Sequence, residues 1–125
     1  MSTEEKVFVK IMSGMMTYAI GQVAQMDEDY ANKLKALDEV IQYKIGDDIA
    51  YYTIIKDGKV EGFEGTADNP TLVNEIALED SVKMFSGQAD PASLVSKMKI
   101  SDANKALELA FIMTKVGEYM EGMGG

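Results

Sequence analysis

The N-terminal third of the chain follows a helical pattern of apolar and polar positions. From Glu4 to about Met26 the apolar residues recur at spacings of three and four, which predicts one amphipathic helix. The residues of its apolar stripe are Phe8, Met12, Met15, Met16, Ala19, Ile20 and Val23. The acidic cluster at 27–29 then favours the start of a second, shorter helix that ends near Asp38.

Two features of the first predicted helix go beyond a single packed face. Val7, Ile11 and Tyr18 add apolar surface beside the main stripe. Gly14 and Gly21 each cost a helix up to about 1 kcal/mol relative to alanine. The glycines therefore indicate either close packing against a neighbour or a weak point in the helix.

From Glu39 the pattern changes to the alternation of β-strands. Ile41, Tyr43 and Ile45 share one face of a first strand, and 49–55 is rich in β-branched and aromatic residues. The pair Asp57-Gly58 is typical of a type I′ hairpin and leads into a third strand at 60–63. A fourth strand is predicted at 71–77, so the sheet is expected to be compact and antiparallel.

A mixed helical and extended pattern completes the chain. Glu79-Asp80 opens a short helix that carries Val82, Met84 and Phe85, with Gly87 as its C-cap, and Asp90-Pro91 starts another helical turn. Residues 95–100 predict a fifth strand, and Asp102 is expected to cap a C-terminal helix. The order of elements predicts an α+β fold.

Composition removes several classes of function. The chain has 125 residues and a net charge of −9, with no arginine, no cysteine and no histidine. Nucleic acid is not expected as a partner because phosphate binding requires clustered cations. Zinc sites and most catalytic constellations are unfavoured, since histidine and cysteine supply their usual groups.

The acidic pairs and the serines do not change this view. Asp47-Asp48 lies at a predicted turn and Glu79-Asp80 at a predicted helix start, which explains their charge better than a metal site does. No serine has a histidine to activate it. We therefore expect a non-catalytic protein without cofactor or metal.

Length and charge pattern also give expectations about domains and location. One domain over 1–125 is expected, with a helical segment at 4–38 and a sheet and pocket region at 39–120. No apolar run approaches the roughly 20 residues of a bilayer span. The acidic start does not match a secretory leader, so a cytoplasmic location is expected.

The segment from Leu78 to Leu109 carries a family resemblance. It contains Glu79-Asp80, an apolar short helix at 82–85, the sequence Gly87-Gln88-Ala89-Asp90-Pro91, and Ser96-Lys97-Met98-Lys99-Ile100. This order resembles the sterol-binding domain of the sterol carrier protein type 2 family, and the resemblance covers roughly 40–113. Ser96 and Asp102 stand where glycine is usual in that family.

The resemblance implies both a fold and a function. It implies a five-stranded, mainly antiparallel sheet with helices on one face, enclosing a hydrophobic cavity. It also implies a carrier that binds a hydrophobic small molecule, such as a fatty acyl, sterol-like or isoprenoid lipid. The candidate ligand-binding residues are Tyr52, Ile54, Phe63, Met84, Phe85, Leu94, Met98, Ile100, Leu109, Ala110 and Met113.

Several alternatives stay open at this level. Tyr51 and Tyr52 must point to opposite faces of their strand, and sequence does not decide which one faces the core. The ten methionines fit either a filled core or a cavity lining. The chain is alternatively an interaction module that docks a partner or a second copy through its N-terminal helix, or an accessory domain of an enzyme on another chain. Transient membrane contact and a homodimer are both compatible with the sequence.

Overall fold

The computed structural model describes residues 3–86 and 96–124, with side chains up to residue 120. Five helices occur in these ranges: α1 Thr3–Met26, α2 Glu28–Lys35, α3 Leu78–Ser86, α4 Ala103–Leu109 and α5 Phe111–Gly124. The side chain of Asp27 caps α2 by accepting from Tyr30 N at 3.0 Å. Asp102 caps α4 in the same way, with Lys105 N as the donor at 3.0 Å.

The five strands are β1 Asp38–Ile45, β2 Ile49–Lys56, β3 Lys59–Glu64, β4 Leu72–Ile76 and β5 Lys99–Ile100. They form one sheet in the order β3-β2-β1-β4-β5. All neighbouring strands are antiparallel except β1 and β4, which are parallel. The expected α+β fold with a mainly antiparallel, five-stranded sheet is confirmed, and the parallel pair is an addition to it.

The turn between β2 and β3 follows the sequence prediction. Asp57 and Gly58 both have positive φ, at 53° and 79°. A type I′ turn requires positive φ at both central residues, which is why Asp-Gly is favoured there. The three-stranded meander therefore forms in the register that pairs Lys56 with Lys59.

The helices cover one face of the sheet, and the core between the layers has two clusters. The larger cluster joins α1, α2, α4 and α5 to the sheet through Ile20, Val23, Tyr30, Leu34, Ile41, Ile55, Leu72, Leu109, Ile112 and Val116. The smaller cluster joins α1 and α3 to the sheet through Val9, Ile45, Ile49, Ile76 and Leu78. Apolar burial in these clusters is the main stabilising contribution to the fold.

Two C-terminal elements differ from their predicted extents. The fifth strand is predicted over 95–100, but of its described residues, 96–100, only Lys99–Ile100 pairs with β4. The ladder ends where Ser101 bonds to both backbone groups of Val73. The last helix is divided at Ala110, whose N–H donates to Leu107 O, three residues back rather than four. The predicted Gly87 cap and Asp90-Pro91 turn lie outside the described residues.

Helix α1 presents a second, unburied apolar face. Val7, Ile11, Met15 and Tyr18 are 48%, 56%, 54% and 69% exposed. By length and composition α1 is the one described helix that could cross a membrane, and 22% of its most apolar stretch is buried. One such helix is weak evidence for a membrane span, because mostly buried core helices and N-terminal signal sequences meet the same criterion. In this structure α1 packs on β2, β3 and the neighbouring helices.

Candidate functional site

The helix-facing side of the sheet holds the best candidate for a binding site. Tyr43 packs against both core clusters, so it lies where they meet. We call this place the seam and define it by Tyr43, the adjacent Asn74, and the half-buried apolar side chains Phe8, Val82, Phe85, Met98 and Ile100. Helices α1 and α3, strands β1, β4 and β5, and the turn before β5, where Met98 lies, contribute these side chains.

Strand register explains how the seam is assembled. Tyr43 pairs with Asn74 across the parallel β1–β4 ladder, and Asn74 pairs with Ile100 across β4–β5. Side chains at paired positions lie on the same face of a sheet. Phe8 on α1 contacts Phe85 on α3 edge to face, with their ring centroids 6.4 Å apart. The seam thus brings together residues that are far apart in sequence.

Tyrosines in the centre of the sheet are shielded from water. Burial raises the pKa of Tyr43 to about 12, and the nearby Tyr51 contributes to that shift. Tyr51 is 8% exposed, and its hydroxyl hydrogen-bonds to that of Thr17 on α1 at 2.9 Å. Tyr51 is therefore the one of the two adjacent tyrosines that faces the core.

Five of the predicted site residues lie between the sheet and the helices, in or against the two core clusters. Phe85 and Met98 pack against the smaller cluster. Leu109 belongs to the larger cluster, and Ile100 and Met113 pack against it. Their contact with a ligand stays a prediction.

Three predicted residues from the sheet lie on the other side. Tyr52 and Ile54 alternate with the buried residues of β2, and Phe63 is the register partner of Tyr52. The rings of Tyr52 and Phe63 stack with centroids 5.3 Å apart, and Phe63 is 39% exposed. These side chains do not line the space between sheet and helices, because the faces of a strand alternate and Tyr51 occupies the inner one.

Two helical candidates also point away from the core, and one is not described. Met84 is 41% exposed on α3, and Ala110 is exposed at the break between α4 and α5. Helical periodicity placed both on an apolar face, but the actual direction of each helix turns them to solvent. Leu94 lies outside the described residues.

Two surface clefts stand out among those in the described part of the chain. The larger, about 330 Å³, lies between α2 and α5, where Lys33 Nζ sits 5.6 Å from the centroid of the Phe111 ring. The smaller, about 210 Å³, lies at the β1–β2 turn beside Lys6 and Asp48. Both are open, and charged side chains contribute to the lining of each, so neither is the enclosed hydrophobic cavity that the resemblance implies.

The acidic pairs have structural partners. Asp48 accepts a hydrogen bond from Lys6, which lowers the pKa of the Asp48 carboxyl. Asp80 lies 3.9 Å from Lys97 Nζ at the start of α3. In the ranges that the structure describes, no three acidic side chains converge as they would around a metal ion.

Solved structures with the same arrangement of elements are numerous. The solution NMR structure of palmitated SCP2L2 from Aedes aegypti matches 90% of this chain and 94% of that one, with a TM-score of 0.58 and 19% identity. The solution structure of sterol carrier protein domain 2 of Helicoverpa armigera matches 82% of this chain and 84% of that one, with a TM-score of 0.58 and 18% identity. The chain has the sterol carrier protein 2 fold. No protein-family model and no curated protein matches the sequence.

The sterol carrier protein 2 fold is also found in a protein with a different description. The UbiJ-SCP2 ubiquinone synthesis protein is similar over 89% of this chain and 96% of that chain, with a TM-score of 0.61 and 8% identity. Identities this low show a common fold and do not transfer a ligand. The resemblance noted in the sequence is confirmed at the level of the fold.

Some residues of the seam were not found by sequence reasoning. Asn74 was not among the candidates, although its alternation with Leu72 and Ile76 places it on their face of β4. That alternation was the available signal, because an amide between two core positions is unusual. Phe8 was assigned to the apolar stripe of α1, but nothing in the sequence indicated its contact with Phe85.

Proposed function

We propose that this protein binds an apolar, lipid-like molecule between the sheet and the helices, at the seam, and performs no chemistry on it. The observation that carries the proposal is the fold together with the incomplete burial of apolar side chains at the seam. Phe8, Phe85 and Met98 are only partly buried although they pack against a core cluster.

The physical argument is one of surface burial. An apolar chain that covers half-buried side chains removes surface from water on both partners, worth roughly 25 cal/mol per Å². Methionine and phenylalanine suit this task because the thioether adapts its shape and the ring offers a large contact area. A neighbour with the same fold, SCP2L2 from Aedes aegypti, is described in its palmitated form.

The first test is the identification of what the purified protein carries. Native mass spectrometry of the freshly purified chain is expected to show an added mass, and organic extraction is expected to release an apolar molecule in stoichiometric amount. A bare protein that also fails to take up a fluorescent fatty acid would contradict the proposal.

A pair of variants locates the site. Met98→Lys places a charge in the seam and is expected to lower uptake of a fluorescent fatty acid at least 10-fold, because burying an unpaired ammonium group is costly. Met84→Lys is the matched control, since Met84 is largely exposed on α3. Equal uptake by two folded variants would place the ligand elsewhere.

A further inference from the structure

Asn74 is a polar residue at the centre of the helix-facing side of the sheet. It lies on β4 between Leu72 and Ile76, which are 3% and 8% exposed. Its register partners are Tyr43 on β1 and Ile100 on β5. Asn74 is half-buried, as are its two register partners, and it lies between two fully buried positions of β4.

The amide oxygen of Asn74 is buried, and none of the residues that the structure describes donates a hydrogen bond to it. A buried acceptor without a donor has lost its bond to water and gained nothing in return, so such groups are rare in native proteins. A group of this kind is explained by a partner that arrives from outside the chain, either a ligand or a water molecule.

Two other buried oxygens in the described residues lack partners, but each has a local explanation. Glu39 Oε2 belongs to a carboxylate whose other oxygen is bonded to Lys105 Nζ at 2.8 Å. Ser81 Oγ lies on α3, where rotation about one bond can direct it to a backbone carbonyl in the preceding turn. Ser13 makes such a bond to Val9 O at 2.8 Å. Asn74, on a strand, has no preceding turn to bond to.

We propose that Asn74 anchors the polar end of the bound molecule, and that this molecule is a neutral lipid bearing a hydroxyl group. The inference rests on the proposed function and specifies its ligand class. An amide oxygen can only accept a hydrogen bond, and a hydroxyl group can donate one. An ionised carboxylate can only accept, and its charge would be buried beside apolar side chains.

The neighbours of Asn74 fit this class of ligand. Tyr43 on β1 and Ile100 on β5 are its register partners, and Met98, two residues before Ile100, packs against the smaller cluster. The apolar part of the ligand would lie along these side chains, while its hydroxyl group bonds to the amide oxygen. Met98 has the flexibility to make room, because its side chain is unbranched.

The test compares two lipids, one with a hydrogen-bond donor and one without. Binding of 1-hexadecanol and of hexadecyl methyl ether is measured for the wild type, Asn74→Leu and Asn32→Leu, by native mass spectrometry titration. The ether keeps an acceptor oxygen and lacks the donor. Asn32 is exposed on α2 and provides the matched control.

The wild type and Asn32→Leu are expected to bind the alcohol about 10-fold more tightly than the ether, the effect of one hydrogen bond. Asn74→Leu is expected to bind both lipids with the affinity that the wild type has for the ether. Its thermal midpoint should be no lower than that of the wild type, because the substitution removes an unsatisfied amide; a purely structural role for Asn74 predicts a lower midpoint.

The outcomes separate this inference from the proposed function. Equal affinities of the wild type for the two lipids, or a preference that persists in Asn74→Leu, would overturn the anchor and leave the apolar site in place. If the wild type binds neither lipid nor a fluorescent fatty acid, the proposed function fails and the anchor fails with it.

Discussion

Gly62 shows how a single residue sets the distance between layers. A Cβ atom at this position of β3 would lie 1.9 Å from the Tyr51 hydroxyl oxygen and 2.7 Å from Thr17 Oγ1. Only glycine leaves room for the hydrogen bond that joins these two hydroxyls. The bond links β2 to α1, so the missing side chain allows the helix to lie close to the sheet.

Two glycine substitutions should act with opposite signs. Gly62→Ala is expected to lower the free energy of unfolding by about 2 kcal/mol, because overpacking displaces Tyr51. Gly14→Ala is expected to raise it by up to about 1 kcal/mol, since nothing lies within 4 Å of its added Cβ atom and alanine favours the helix.

Chemical denaturation of both variants and the wild type measures these differences. A Gly62→Ala protein as stable as the wild type would show that the Tyr51–Thr17 bond does not restrain α1. The open space around Gly14 and Gly21 also shows that neither glycine serves close packing. Of the two interpretations of these residues, close packing is wrong, and the weak point in the helix stays a prediction that Gly14→Ala tests.

At the scale of elements, Gln42 explains how the chain passes from β3 to β4. Gln42 lies on the face of β1 away from the helices, yet it is only 1% exposed. Its Nε2 donates to Tyr51 O and to Gly65 O, and its Oε1 accepts from Ala67 N at 2.7 Å. The connection therefore crosses this face and places β4 parallel to β1.

Removal of the Gln42 amide should weaken this connection. Gln42→Ala leaves the backbone groups of Gly65 and Ala67 without their partner, which is expected to cost about 2–3 kcal/mol of unfolding free energy. Gln22→Ala is the control, because Gln22 is exposed on α1. Hydrogen exchange should show faster exchange at Ala67 N in the first variant; unchanged protection there would count against the role of Gln42.

Across the whole molecule, carboxylates connect elements that are distant in sequence. Asp27 on the α2 cap accepts from the Tyr119 hydroxyl of α5 at 3.0 Å, and Glu39 of β1 accepts from Lys105 of α4 at 2.8 Å. The backbone N–H of Tyr30, followed by the Tyr119 hydroxyl, lowers the pKa of Asp27. Burial is the largest influence on the Glu39 carboxyl and acts to raise its pKa. The hydrogen bonds from Lys105 and Thr71, together with the charge of Lys105, outweigh burial and leave that pKa lowered.

These shifts give acid sensitivity with a defined sign. A carboxyl group with a lowered pKa in the folded state stabilises the fold above its ordinary pKa, and this contribution is lost as pH falls through the folded value. The thermal unfolding midpoint is therefore expected to fall when the pH is lowered below about 4. Glu39→Gln should be less stable than the wild type at pH 7, and the difference should shrink towards pH 2.

Thermal unfolding followed by circular dichroism between pH 2 and pH 7 tests this expectation. Glu61→Gln, at an exposed position on β3, controls for the change in net charge. A constant gap between Glu39→Gln and the wild type across the whole range would mean that the Glu39 charge does not stabilise the fold.

Local patterns in the sequence determined most of the elements. The periodicities of 3.6 and 2 predicted α1, β1, β2 and the buried sides of β1 and β4, and Asp57-Gly58 predicted the hairpin turn. These features depend on residues close in sequence, so they can be recognised without knowledge of the rest of the fold. The resemblance in 78–109 added the overall architecture.

Tertiary structure alone decided which side of β2 and which residues of the C-terminal helices are covered. Periodicity shows that Tyr51 and Tyr52 point in opposite directions, but the position of α1 decides that Tyr51 is buried and Tyr52 is not. The same holds for Met84 and Ala110, which turn to solvent, and for Asn74, which lies at the seam. Burial depends on what packs against a face, and the elements that do so here are contributed by segments far apart along the chain.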